Sequence, residues 1–277
     1  MRKKEIMEIE YNFSTRSVVI PLLVKFGLDM LVTLGAMIIY NAGMGANEIT
    51  TISAVTDGIL PYTVMITIVS SLLLLPILVW MFKKDRLFYE DKMEFKMKGT
   101  MYLVLIVIGI TASVGMNNIM VLSQVANISN AYQRATELLY EPTLLVQIVG
   151  IGIIIPIAEE LLFRGVIFRR LRRIMSRSVA ICLTAFMFGV IHGNLVQFIY
   201  AFILGAMFAY LYELCTSIWV PIGLHMLANI VAILVTRYGV STWMFSSLFR
   251  VGTITVGCAF ICSIMLVLVR REMLQKC

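Results

Sequence analysis

The stretch Pro142-Thr143-Leu144-Leu145-Val146-Gln147-Ile148-Val149-Gly150-Ile151-Gly152-Ile153-Ile154-Ile155-Pro156-Ile157-Ala158-Glu159-Glu160-Leu161-Leu162-Phe163-Arg164-Gly165 decides the fold. Its first part, to Ile157, is an apolar run of the length needed for a membrane helix, which takes roughly 20 residues to cross a bilayer. The run ends in two adjacent carboxylates, Glu159 and Glu160, followed by the guanidinium of Arg164. Charge inside a membrane helix is costly, so such residues have partners and a function.

The rest of the chain repeats the pattern. It is 60% hydrophobic and 14% charged, with a mean hydropathy of +0.92. A soluble domain carries about a quarter of its residues as charges, so an ordinary soluble fold is excluded. Apolar runs recur at 17–41, 59–82, 101–122, 142–163, 178–193, 196–217, 218–236 and 251–269. The expected fold is all-α: one polytopic membrane domain over 1–277, with about eight transmembrane helices. No cleavable signal peptide is evident, because the first apolar run is too long for one. Of the five cysteines, Cys182, Cys215, Cys258 and Cys262 lie within spans and Cys277 is terminal. No loop-based disulfide framework follows.

The net charge of +7 is distributed by topology. Basic residues cluster at Arg2, Lys3, Lys4 and Arg16, then at Lys83, Lys84, Arg86, Lys92, Lys96 and Lys98. They cluster again at Arg164, Arg169, Arg170, Arg172, Arg173 and Arg177, and finally at Arg270, Arg271 and Lys276. The alternate connections hold only Arg134 in one, Arg237 and Arg250 in another, and none between Ala42 and Gly58. The positive-inside rule then puts both termini in the cytoplasm. The charges are membrane signals, and no nucleic-acid partner is implied. The 83–98 stretch reads as a charged loop, with an interfacial helix suggested by Leu87, Phe88, Met93 and Phe95.

Histidine occurs only twice, at His192 and His225, both in apolar runs. Glu160 and Arg164 are i,i+4, with the acid N-terminal, the favourable order for an ion pair. Phe188 and His192 share a helix face, as do His225 and Asn229. If the helix of Pro142 continues past Gly165 to a turn at 175–178, Glu160 and His192 each lie about 15 residues, or roughly 22 Å, from that turn. They then sit side by side in a hairpin. His225 lies about seven residues, or on the order of 10 Å, inside its own helix. The expectation is a buried polar cavity opening to the cytoplasmic side. Lys25 and Asp29, also i,i+4, read as a buried structural pair or a shifted helix start, with a second polar site as the alternative.

Glu159-Glu160-Leu161-Leu162-Phe163-Arg164, Phe188-Gly189-Val190-Ile191-His192 and His225-Met226-Leu227-Ala228-Asn229 follow one another on successive helices. In that order they resemble the CPBP family of intramembrane proteases, which includes the type II CAAX prenyl endopeptidase and the bacterial bacteriocin-processing and self-immunity (Abi) proteins. The resemblance covers 142–236, the expected catalytic core. It implies hydrolysis of a peptide bond in a membrane-associated peptide or protein. Glu159 would be the general base, and His192 would hold the water and relay its proton. His225 and Asn229 would donate to the oxyanion, with Glu160 and Arg164 fixing the helix. No cofactor is preferred. Zinc held by Glu159, His192 and His225 is the alternative chemistry, weakened by the lack of a His-Glu-x-x-His pattern.

Two other functions compete with an enzyme. One is a non-catalytic immunity or regulatory protein that keeps the protease architecture. The other is a cation transporter with a Glu/His relay, disfavoured by the lack of paired broken helices. The size suggests a prokaryotic plasma membrane. Substrate identity and oligomeric state are not encoded in these motifs.

Overall fold

The computed structural model describes residues 16–43, 51–88, 99–124 and 129–275. Arg2, Lys3, Lys4, Lys92, Lys96, Lys98, Lys276 and Cys277, with most of the expected interfacial helix at 83–98, lie outside the described residues. The regular elements among the described residues are all helices. We number the helices α1 (Arg16–Gly43), α2 (Ile52–Ile59), α3 (Thr63–Phe88), α4 (Gly99–Leu122) and α5 (Asn130–Tyr140). There follow α6 (Leu144–Ile174), α7 (Arg177–Val190), α8 (Leu195–Cys215), α9 (Trp219–Arg237), α10 (Val240–Phe245) and α11 (Leu248–Leu274).

Among the described residues, seven helices are long and apolar enough to cross a membrane: α1, a continuous Ile52–Leu87 segment, α4, α6, α8, α9 and α11. Their outer faces carry large apolar side chains such as Leu31, Ile38, Val256 and Phe260. An all-round apolar helix of this kind belongs in lipid. The chain is therefore an all-α polytopic membrane protein.

The expected fifth span is the exception. Helix α7 has 14 residues, about 21 Å at 1.5 Å per residue, short of the roughly 30 Å hydrocarbon core. It stops because Gly193 adopts a left-handed φ of 73°, which glycine tolerates without strain. Asn194 then caps α8 by accepting from the Gln197 N–H at 2.9 Å. The pair α7–α8 is a hairpin with His192 at its tip.

Helix α6 runs unbroken past the glutamates to Ile174, as the hairpin geometry requires. It is not a uniform α-helix. Wider π-helical turns cover Gln147–Ile154 and Leu161–Phe168, flanking an ordinary turn at Ile155–Glu160. Such insertions recur at functional sites. Pro156 marks the first: Ile155 donates to Gly150, five residues back. The Ile151 carbonyl would take its bond in that register from Pro156, which has no N–H.

Ion pairs tie the arginine-bearing end together. Arg170 grips Asp85 through Nε at 2.8 Å and Nη2 at 3.1 Å, and donates to the Ser17 carbonyl at 2.5 Å. This joins α1, α3 and α6 at one level. Arg172 and Arg177 both reach Glu213 of α8. Below this layer, Leu161, Leu162, Phe163, Val166, Ile167 and Phe168 are buried in a packed core.

That core lies between the arginine layer and a cavity. This cavity, about 470 Å³, is lined by Ile151, Ile155 and Glu159 of α6, by side chains between Gln197 and Phe208 of α8 and by side chains between His225 and Ile233 of α9. In each helix the lining extends from the glutamate level away from the arginines. Residues of α5, including Leu138 and Tyr140, complete its far wall. The cavity therefore extends toward the end opposite Arg169–Arg173, because packed side chains fill the arginine side.

Candidate active site

The three motifs, on α6, at the end of α7 and on α9, converge against α8. Glu160 is fully buried, and its Oε1 accepts from Arg164 Nη1 at 2.9 Å and from His225 Nδ1 at 2.8 Å. Arg164 is equally buried and donates its Nη2 to the Gly205 carbonyl at 2.9 Å. Its guanidinium lies 4.5 Å from the Phe188 ring centre and 5.7 Å from that of Phe208, within cation–π range. A Cβ at residue 205 would stand 2.9 Å from both Arg164 Nη2 and Phe188 Cδ1. Glycine is thus what lets the α8 backbone approach the ion pair.

The two glutamates divide by rotation. Adjacent helical residues differ by about 100°. Glu160 turns into the core, while the Glu159 side chain is 17% exposed and faces the cavity. His225 bridges them, its Nε2 lying 3.8 Å from Glu159 Oε2. Because Glu160 is a carboxylate held by Arg164, His225 Nδ1 is the donor there. That leaves Nε2 directed at Glu159. The series Arg164, Glu160, His225, Glu159 is continuous from core to cavity.

His192 enters from the α7–α8 tip. Its Nδ1 donates to the Phe188 carbonyl at 2.8 Å, since a carbonyl can only accept. The tautomer so fixed leaves Nε2 unprotonated, as a base requires. Phe188 packs edge-on against His192 at 5.0 Å and against His225 at 5.7 Å. The phenylalanine is thus the spacer that sets both imidazoles.

Asn229 also lines the cavity, and its Nδ2 donates to the Ile151 carbonyl at 2.9 Å. This is the carbonyl that Pro156 leaves without a helical partner. One amide N–H is thereby engaged in holding α6 to α9, and the second remains for the cavity. Truncating Asn229→Ala is expected to cost about 1–3 kcal/mol, because it leaves a buried carbonyl unpaired. A thermal melt of the purified protein measures this loss, and an unchanged midpoint would contradict it.

Sequence reasoning missed several contributors. Tyr200 lines the cavity beside His192, with ring centres 6.4 Å apart. Gln147, wholly buried, donates to the Tyr140 and Pro142 carbonyls and fixes the α5–α6 corner. Tyr140, outside the spans, has its phenol pushed up by burial, partly offset by its bond to Thr236. It stays protonated and ties α5 to α9. A glutamine inside an apolar run was the available signal for the first of these contacts.

The zinc alternative needs Glu159, His192 and His225 to converge on one point. Among the described residues, no group of three His, Cys, Asp or Glu side chains is placed to hold a metal ion.

The fold and this site define a polytopic membrane protein with a carboxylate–imidazole centre buried at mid-span. Residues 141–231 match the family model described as Type II CAAX prenyl endopeptidase Rce1-like. The chain is also similar to "Putative membrane peptidase YdiL" of Bacillus subtilis (strain 168), with 35% identity over 78 residues. That alignment covers 28% of this chain and 32% of the relative, about a third of the relative's length. No solved structure matches. The motif-bearing segment, about a third of the chain, is what resembles the CPBP family.

Proposed function

We propose that this protein is an intramembrane endopeptidase that uses Glu159 to activate water. The observation carrying the proposal is the asymmetry of the glutamate pair. Glu160 is consumed by Arg164 and His225, while Glu159 alone faces the cavity together with His192. The family match and the peptidase name of the relative support the same class of reaction.

In this reading the peptide lies extended in the apolar cavity. Glu159 takes a proton from a water whose oxygen attacks the carbonyl carbon. A water molecule placed between Glu159 and His192 Nε2 would be polarised by both. When the C–N bond breaks, the proton moves to the leaving amine, with His192 as the relay. A positioned acid–base pair of this kind contributes about 10²–10⁴-fold each way. The second N–H of Asn229 would donate to the developing oxyanion, joined by His225 Nε2 when that ring carries both protons. The substrate is a membrane-associated peptide or protein, and the cell membrane is prokaryotic with both termini cytoplasmic.

The test is cleavage of membrane-anchored reporter peptides by the purified protein in lipid vesicles, read by mass spectrometry. Cleavage should proceed unchanged with a strong zinc chelator, and the protein should hold no stoichiometric zinc. Activity that falls on chelation and returns with added zinc would replace the glutamate mechanism by a metal one. Absence of cleavage across a broad reporter set would favour the non-catalytic membrane partner.

A further inference from the structure

A second cavity, about 440 Å³, meets the first at Thr63, Thr67, Glu159, Ile191 and His192. Its chemistry differs. The first is walled mainly by Leu, Ile, Ala and Phe side chains. Beyond the shared Thr63 and Thr67, the second adds Lys25, Asp29, Thr33, Thr56 and Ser70 before it reaches the glutamate. Lys25 Nζ contacts Asp29 Oδ2 at 2.5 Å, and Ser70 Oγ donates to the other Asp29 oxygen. These are the groups read from sequence as a structural pair.

Their depth is fixed by the fold. Ser17 of α1 is level with Arg170 of α6 through their hydrogen bond. Lys25 and Asp29 lie 8 and 12 residues beyond Ser17, about 12–18 Å along the helix, and Glu159 lies 11 residues from Arg170, about 16 Å. The ion pair and the base therefore share one level. Thr33 and Thr56 continue the polar wall toward the end opposite the arginines.

The hydrogen-bonding capacity of this wall is largely open. The hydroxyls of Thr33, Thr56, Thr63 and Thr67 donate to carbonyls of their own helical turns. Each spends its one proton there and keeps lone pairs for the cavity. Lys25 has three N–H donors, one of which Asp29 takes. Among the described residues no other protein acceptor is present for the rest. An ammonium at this depth is tolerable where it faces water, and a cavity holds water when each molecule finds two to four polar partners.

We propose that this second cavity is the water inlet of the hydrolytic site, organised by Asp29, Lys25 and Ser70, while the first cavity receives the peptide. The proposal rests on the proteolytic reading and deepens it. Hydrolysis consumes one water per bond cleaved, and an extended peptide in the apolar cavity would cover the other approach to Glu159. Water enters past Thr56 and Thr33, from the side opposite Arg169–Arg173, and Asp29 and Lys25 hold it beside the base.

Single cysteines test this in the full chain, in a background where the five native cysteines are replaced by alanine. The probe is a charged, membrane-impermeant methanethiosulfonate. Thr33→Cys and Thr56→Cys should react at least 10-fold faster than Leu34→Cys and Ile38→Cys, which face outward on α1 with 47% and 69% exposure. They should react in the membrane preparation that protects Ser176→Cys, which marks the arginine end. Thr33→Leu, which fills the passage, should lower kcat at least 10-fold with KM changed less than twofold. Equal reactivity at Thr33→Cys and Leu34→Cys, labelling only from the Ser176 side, or full kcat in Thr33→Leu would each overturn the proposal. The labelling needs no hydrolysis, so it decides the inlet even if the protein cleaves no peptide.

Discussion

Glu159→Gln should reduce kcat/KM for a membrane-anchored reporter peptide by roughly 10³-fold or more, the upper part of the range for a general base. The protein should still insert and fold. Glutamine keeps the volume of the side chain, and the neighbouring assembly of Glu160, Arg164 and His225 does not depend on Glu159 for its bonds. The thermal midpoint should stay within about 3 °C of the parent, since 1 kcal/mol moves a protein of this size by about 2–4 °C. His192→Ala should lose activity to a similar degree for a different reason. It removes the imidazole whose Nδ1–H is anchored on Phe188 and whose Nε2 is free for the water. Reporter cleavage by purified Glu159→Gln at the parental rate would remove this residue from the mechanism.

Much of this site is legible because charge is scarce in the chain. With both histidines and a glutamate pair confined to apolar runs, spacing alone put Glu160 beside Arg164 and His192 beside Phe188. The structure brings both pairs into contact. What the spacing could not reveal was the partner across helices. Whether His225 meets Glu159 or Glu160 depends on the rotation of α9 against α6, which packing sets. Asn229 illustrates the same limit. Its acceptor, Ile151, is 78 positions away, and the vacancy it fills arises only because a π-helical turn meets Pro156. Helix lengths locate the glutamates in depth but do not show which side the large residues of 161–168 fill, so the end toward which the cavity extends is not legible from spacing. The short fifth helix is different: Gly193 and Asn194 form a stop-and-cap signal in the sequence itself, which continuous hydropathy overrode.

Arg164→Leu should be the most destabilising single change at the site. It leaves Glu160 as a buried carboxylate whose only remaining side-chain donor is His225, and whose Oε2 already lacks a partner. Removing one member of a buried ion pair costs about 3–5 kcal/mol, so the midpoint should fall by roughly 6–20 °C at about 2–4 °C per kcal/mol. The Gly205 carbonyl also loses its donor. Lysine should rescue only in part, because the guanidinium uses two separate nitrogens for Glu160 and Gly205 and lies 4.5 Å over the Phe188 ring centre. A point charge on a flexible stem cannot do all three. The double variant Glu160→Leu with Arg164→Leu removes both charges and should recover a large part of the lost stability, as apolar replacement of buried pairs does. It should not recover activity, because His225 loses the acceptor that orients its ring toward Glu159. Denaturation and turnover measured on the same three variants therefore separate the roles. If the single and double variants melt together, the pair is not what holds α6 against α8, and the loss in Arg164→Leu belongs to its packing on Phe188 and Phe208 instead.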